Sequence, residues 1–163
     1  MVIENCLLTH KNSAILKNCT MEVSSTRYLT GQQYHTGIDI EADTVYAICA
    51  GVCTYVGYST EEKHVVLLQY DSNTSFRYCN LDIVNVRKGQ VIDNEEKIGH
   101  ADKYIHFEVI TTEYSNWCVR VGNKDYYKHD PTNYLLNNTE YEHSGSVENF
   151  YFSNIDEELQ TEF

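Results

Sequence analysis

The segment Tyr34-His35-Thr36-Gly37-Ile38-Asp39-Ile40 sets an imidazole and a carboxylate four residues apart around a glycine. Both groups are ligands for first-row metals, with bonds of about 2.0 to 2.2 Å to zinc. A straight strand would hold such a pair roughly 13 Å apart, too far to share one ion. Gly37 permits the bend that closes this gap. Farther along, Tyr104-Ile105-His106-Phe107-Glu108-Val109-Ile110 alternates as a strand does. Tyr104, His106 and Glu108 then share one face, and Ile105, Phe107 and Val109 the other. With the apolar set against the core, His106 points into a cleft. There it is either an ordinary hydrogen-bonded histidine or the third ligand beside His35 and Asp39. Two histidines and one carboxylate leave a tetrahedral position open, which is the arrangement of a catalytic zinc rather than a structural one.

The elements that must carry these residues read as short strands between turn signals. Proline occurs once, at Pro131, and long helical periodicity is scarce. Strands are expected around Cys6–Leu8, Ala14–Leu16 and Glu22–Val23, with nothing chemically distinctive in the first thirty residues. Thr44 to Cys49 reads as a strand, Ala50-Gly51 as a turn, and Val52 to Gly57 as its hairpin partner. His64 to Tyr70 turns at Asp71-Ser72-Asn73 and runs back through Ser75 to Cys79. Residues 111–129 read as a loop containing a short helix or strand. Asp130-Pro131 opens a helical turn near 130–136, with Asp as cap and Pro at the first helical position. The fold class is all-β, mainly antiparallel, with an extended C-terminal tail. Residues 1–30 form N-terminal strands packing on the core, 31–136 the main domain, and 137–163 an acidic, aromatic tail suited to docking on a neighbouring subunit.

A chain of 163 residues suits one domain with a real core. A net charge of −12 and a pI near 4.9 argue against nucleic acid as a partner, and against diffuse adsorption to anionic membranes or walls. The stretch from Met1 to Thr20 is broken by Glu4, Asn5, His10 and Lys11, so neither a secretory signal nor a membrane span of about 20 apolar residues is expected. The six cysteines show no CxxC pair, and mostly buried, reduced thiols are expected in a protein finished in a cytoplasm. Cys49 with Cys53 as a redox or metal pair is the sharper alternative.

The chain resembles the lysostaphin- and LytM-type zinc endopeptidases, which cut peptide cross-links in bacterial cell walls. The likeness spans roughly residues 31–136. It is carried by His35-Thr36-Gly37-Ile38-Asp39-Ile40, Val45-Tyr46-Ala47, Ala50-Gly51-Val52 and Tyr55-Val56-Gly57. Arg77-Tyr78-Cys79-Asn80-Leu81, Arg87 to Ile92 with Ile98-Gly99, Ile105 to Val109, and Asp130-Pro131 with Tyr134-Leu135 continue it. The resemblance implies an antiparallel sheet with a groove, and zinc held by His35, Asp39 and His106. Peptidoglycan or a cell-wall peptide is the implied partner.

Two positions depart from the family pattern. Tyr104 stands where the family has the first histidine of HxH, and Asn80 where it has the histidine of Tyr-x-His-Leu. A phenol, ordinarily near pKa 10, is a poor base at neutral pH. General acid–base help is worth about 10²- to 10⁴-fold in rate. These departures imply a zinc-binding domain with degenerate catalytic histidines, inactive or weak as an enzyme. It would serve as a structural or wall-binding component of a phage tail or tail-like particle, joined to other subunits through 138–163. The alternative is an active zinc metalloendopeptidase that cleaves peptidoglycan cross-links, using Tyr104, Asn80 or a spatially recruited His64 or His100.

Overall fold

The structure is a computed structural model and describes residues 1–20, 35–121 and 123–136. The expected strand at Glu22–Val23 and the docking tail both lie outside the described residues. Among those residues the architecture is antiparallel β with one short helix, as the residue pattern predicts.

A ten-stranded sheet forms the body. Its strands are β1 (Val2–Cys6), β2 (Lys11–Lys17), β3 (Ile38–Glu41), β5 (Gly51–Ser59), β6 (Lys63–Asp71), β7 (Thr74–Leu81), β9 (Val91–Ile92), β11 (Tyr104–Thr111), β12 (Trp117–Val121) and β13 (Lys124–His129). The main path runs β1-β2-β3-β11-β7-β6-β5-β9. A smaller sheet joins β4 (Thr44–Tyr46), β10 (Lys97–His100) and β8 (Ile83–Val84). The helix α1 spans Pro131–Leu136, and the Thr132 N–H donates to Asp130 Oδ1 at 3.0 Å, which satisfies one of its first-turn donors.

Strand β11 organises the rest. Ile105, Phe107 and Val109 are fully buried on one face, in the larger core with Phe76, Tyr78, Val66 and Leu68. The Phe107 ring lies 5.9 Å from Phe76 and 5.1 Å from Tyr78, in stacked and edge-on contacts. Burying a side chain of this size is worth about 1.5 to 3 kcal/mol. The Tyr78 hydroxyl, inside this core, accepts from the Ile48 N–H at 3.0 Å. Along one edge β11 pairs with β7. Along the other it pairs first with β3 over Tyr104–Phe107 and then with β13 over Val109–Thr111. Glu108 sits at the seam where β3 ends and β13 begins.

Three local expectations are corrected. Thr44–Tyr46 is not the hairpin partner of the strand after Ala50: β4 pairs with β10, while β5 pairs with β6 and β9. Gly51 is the first residue of β5, and a Cβ there would lie 2.3 Å from the Gln69 carbonyl oxygen, so close strand approach explains it. Residues 111–129 are not a loop with one short element. They form the β12–β13 hairpin, whose Val119 and Tyr126 close a second, smaller core with Leu67 and Ile110. The first strand ends at Cys6, where the Thr9 and His10 N–H groups both donate to the Cys6 carbonyl and turn the chain.

None of the six cysteines is in a disulfide. Cys6, Cys49, Cys53 and Cys79 are buried, and Cys19 and Cys118 partly so. Burial pushes the Cys49 thiol well above its ordinary range and Cys53 up to about 11, which disfavours the thiolate that redox or metal chemistry needs.

Candidate metal centre

The bend expected at Gly37 is present, and it has a steric cause. A Cβ on Gly37 would lie 2.3 Å from the Phe107 carbonyl oxygen, 2.8 Å from Glu108 Cγ and 3.1 Å from His106 Cε1. Only glycine lets the His35 turn run this tightly against β11. Asp39 then enters β3 directly opposite His106 in the ladder. The three side chains predicted from sequence meet: the donor atoms of His35, Asp39 and His106 lie within 4.8 Å of one another. Asp39 Oδ1 is 3.1 Å from His35 Nε2 and 2.9 Å from His106 Nδ1. The two imidazole rings meet edge to face at 4.8 Å. Donors sharing a tetrahedral zinc lie roughly 3.3 to 3.6 Å apart for bonds of about 2.0 to 2.2 Å, so the two contacts to Asp39 would lengthen slightly and the widest spacing in the cluster, up to 4.8 Å, would close by about 1 Å. The side chains are 12%, 18% and 19% exposed, sheltered yet reachable from solvent.

The outward partners of the imidazoles decide which nitrogens face inward. His35 Nδ1 lies 2.9 Å from the Asn18 carbonyl, a group that can only accept, so Nδ1 carries the hydrogen and the neutral ring turns a lone pair at Nε2 inward. His106 Nε2 lies 3.1 Å from Glu108 Oε2, so its neutral ring turns the Nδ1 lone pair inward. Two imidazole nitrogens thus face one carboxylate oxygen, and with both rings neutral this grouping of three acceptors is one that a proton or a cation stabilises. This donor set fits zinc, and histidines oriented by a carbonyl or carboxylate are the usual dress of metal ligands.

In the metal-free protein the proton takes that place. Burial works against a charged His106, but its hydrogen bonds to Asp39 and Glu108, with their negative charge, prevail and hold its pKa up at about 9. Asp39 is likewise held below its ordinary value: burial opposes this, and His106 and then His35 outweigh it. A metal needs the neutral imidazole. Apparent zinc affinity is therefore expected to rise by about tenfold per pH unit from about pH 7, and to level off above about pH 9. Chelator competition across that range checks the slope.

Sequence reasoning missed the residues that brace the cluster. The His35 N–H donates to Thr20 Oγ1 at 2.8 Å and its carbonyl accepts from the Thr20 N–H at 2.9 Å, so the first thirty residues do contribute to the site. Tyr104 lies on the His106 face of β11, two residues before it. Asn80 adopts a left-handed backbone with φ of 68°, a conformation asparagine tolerates better than most residues. Its side-chain amide donates to the Tyr104 carbonyl at 2.8 Å, tying β7 to β11. His64 and His100 are not brought to the cluster. His64 packs on Tyr58 with ring centroids 4.9 Å apart, and His100 lies in the three-stranded sheet beside Thr44.

This geometry corrects the expectation of a degenerate domain. The His–Asp–His set is complete, converges and is braced from outside, and the residues at positions 104 and 80 leave it intact. The active-peptidase alternative is the better supported of the two readings.

The sequence profile of peptidase family M23 matches residues 33–116, just over half of the chain. No curated protein sequence matches significantly. Among solved structures, LytU is similar with a TM-score of 0.56 and 18% identity, over 75% of this chain and 83% of that one. SpoIIQ in its complex with SpoIIIAH belongs to a structure matched with a TM-score of 0.54 and 18% identity, over 67% of this chain and 91% of the matched chain. A zinc-containing peptidase from Vibrio cholerae gives 0.53 and 22%, over 67% of this chain and 36% of its own length. At these identities the structural likeness establishes the fold. The matches are to the M23 peptidase family and to a pore-forming complex rather than specifically to tail particles, so the assignment to a phage tail is withdrawn. With the profile covering the His35–Asp39 turn and the His106 strand alike, the chain belongs to peptidase family M23.

Proposed function

We propose that the chain is a zinc metalloendopeptidase that cleaves peptide bonds in bacterial peptidoglycan. The observation that carries this reading is the convergence of His35 Nε2, Asp39 Oδ1 and His106 Nδ1, each imidazole turned inward by an acceptor behind it. Zinc bound there supplies the Lewis acidity that activates water and polarises a peptide carbonyl at neutral pH.

The chain's own residues supply the rest. Asp39 would bring a negative charge to the centre, and the neutral His35 and His106 imidazoles would be the other two residues holding the metal. The Tyr104 hydroxyl, on the same face of β11, is the group we assign to donate a hydrogen bond to the developing oxyanion. Asn80 acts through Tyr104 by holding its backbone carbonyl. Since the protein carries a net charge of −12, attraction between the whole molecule and an anionic wall does not drive binding. The substrate peptide must be recognised locally, beside the centre.

Dye release from purified, labelled peptidoglycan tests this. Zinc-loaded protein is expected to release dye, chelation to stop it, and added zinc to restore it. Zinc-loaded, folded protein that releases none across peptidoglycans of different cross-bridges would overturn the assignment.

A further inference from the structure

The seam on β11 where β3 gives way to β13 holds Glu108, which backs His106 but is neither one of the three cluster residues nor a reacting group. Glu108 is 2% exposed, a depth at which an ionised carboxylate must be fully partnered. Its Oε2 accepts from Thr36 Oγ1 at 2.5 Å, from His106 Nε2 at 3.1 Å and from Lys128 Nζ at 3.1 Å. Its Oε1 accepts from the Arg77 guanidinium at 3.2 Å. Arg77 is 1% exposed and reaches on to Glu62 at 2.9 Å. Four segments distant in sequence thus meet on one side chain: the His35 turn, β7, β11 and β13.

We propose that Glu108 is the positioning residue that preassembles the centre, gripping His106 directly and the His35 turn through Thr36. This rests on reading His35, Asp39 and His106 as zinc ligands. With two cations against it, Glu108 accepts, so a hydrogen at His106 Nε2 is held outward and Nδ1 is the nitrogen turned towards Asp39. The Thr36 hydroxyl, one residue from His35, is held by the same oxygen, and the Gly37 turn passes 2.8 Å from Glu108 Cγ when extended by an ideal Cβ. One carboxylate therefore sets both the orientation of one ligand and the distance to the other. A purely structural ion pair would need the contacts to Arg77 and Lys128, but neither the contact to His106 nor the one to Thr36.

The test compares wild type with Glu108→Ala, Glu108→Gln and Thr36→Val, reading zinc affinity by chelator competition and the His106 Nε2–H proton by NMR. Glu108→Ala is expected to weaken zinc binding by about 10- to 100-fold, the usual effect of losing an outer partner of a metal-bound histidine, and to lose the slowly exchanging ring proton. Glu108→Gln keeps an acceptor and should recover part of both. Thr36→Val should weaken zinc binding while keeping the ring proton. Glu108→Ala that folds, binds zinc within about twofold of wild type and retains that proton overturns the proposal. If Glu108→Ala does not fold, unchanged affinity in Thr36→Val overturns it instead. A wild type that takes up no zinc would sink the zinc reading. The ring proton, compared across the variants in metal-free protein, then still decides the role of Glu108.

Discussion

Asp39→Asn is expected to remove stoichiometric zinc and to abolish peptidoglycan hydrolysis while leaving the fold in place. Asp39 Oδ1 is the atom that both imidazoles face, at 3.1 and 2.9 Å, so it is central to the cluster rather than peripheral. The amide is nearly isosteric with the carboxylate, and the side chain is partly exposed on β3, so packing is scarcely disturbed. What is lost is the negative charge that a dication needs. The loss of affinity is expected to exceed the roughly 10- to 100-fold typical of outer partners. Metal analysis after dialysis reads this directly, and circular dichroism reports the fold. A variant that keeps one zinc per chain would show that Asp39 is not a ligand.

Arg77→Met should produce the largest loss of stability. Arg77 is buried between Glu108 and Glu62, and removing it leaves the Glu108 carboxylate with Lys128 and His106 facing it. Breaking a buried pair from one side costs about 3 to 5 kcal/mol, because the surviving charge is stranded in a poor dielectric. For a chain of this size that lowers the melting temperature by roughly 10 °C. Lys63→Ala, which removes the exposed partner of Asp82, is the control and should change stability little. Burial alone would raise the Glu108 pKa, but Lys128, His106 and Arg77 hold its carboxyl well below the ordinary carboxylate range. A depressed carboxylate contributes stability above its unfolded pKa and loses it as pH falls towards the folded value. The destabilisation by Arg77→Met should therefore be full near neutrality and shrink in acid. Equal, small losses in both variants would mean that the buried network carries little of the fold's stability.

The His35–Asp39–His106 cluster was legible in the sequence because spacing and strand alternation are local properties. Gly37 announced the bend between His35 and Asp39, and the alternation of Tyr104 to Ile110 put His106 on the face away from Phe107. Glu108 was visible on that same face, yet its partners were not. Arg77 is 31 residues away and Lys128 is 20, and they meet it only because β7 flanks β11 on one side and β13 on the other. Asn18 and Thr20 were hidden for the same reason: a carbonyl and a hydroxyl look ordinary until the pairing of β2 with β3 brings them to His35. The β12–β13 hairpin escaped notice because its buried pair, Val119 and Tyr126, is diluted by charged and aromatic residues that face outward. Removal of the histidines at positions 80 and 104 suggested decay, whereas the ligand set beside them is complete and braced.

The most direct measurement is an anomalous difference map at the zinc edge from crystals of zinc-loaded protein. A single strong peak is expected about 2.0 to 2.2 Å from His35 Nε2, an Asp39 carboxylate oxygen and His106 Nδ1 together. A peak elsewhere, or ordered His35, Asp39 and His106 side chains with no peak among them, would contradict that expectation.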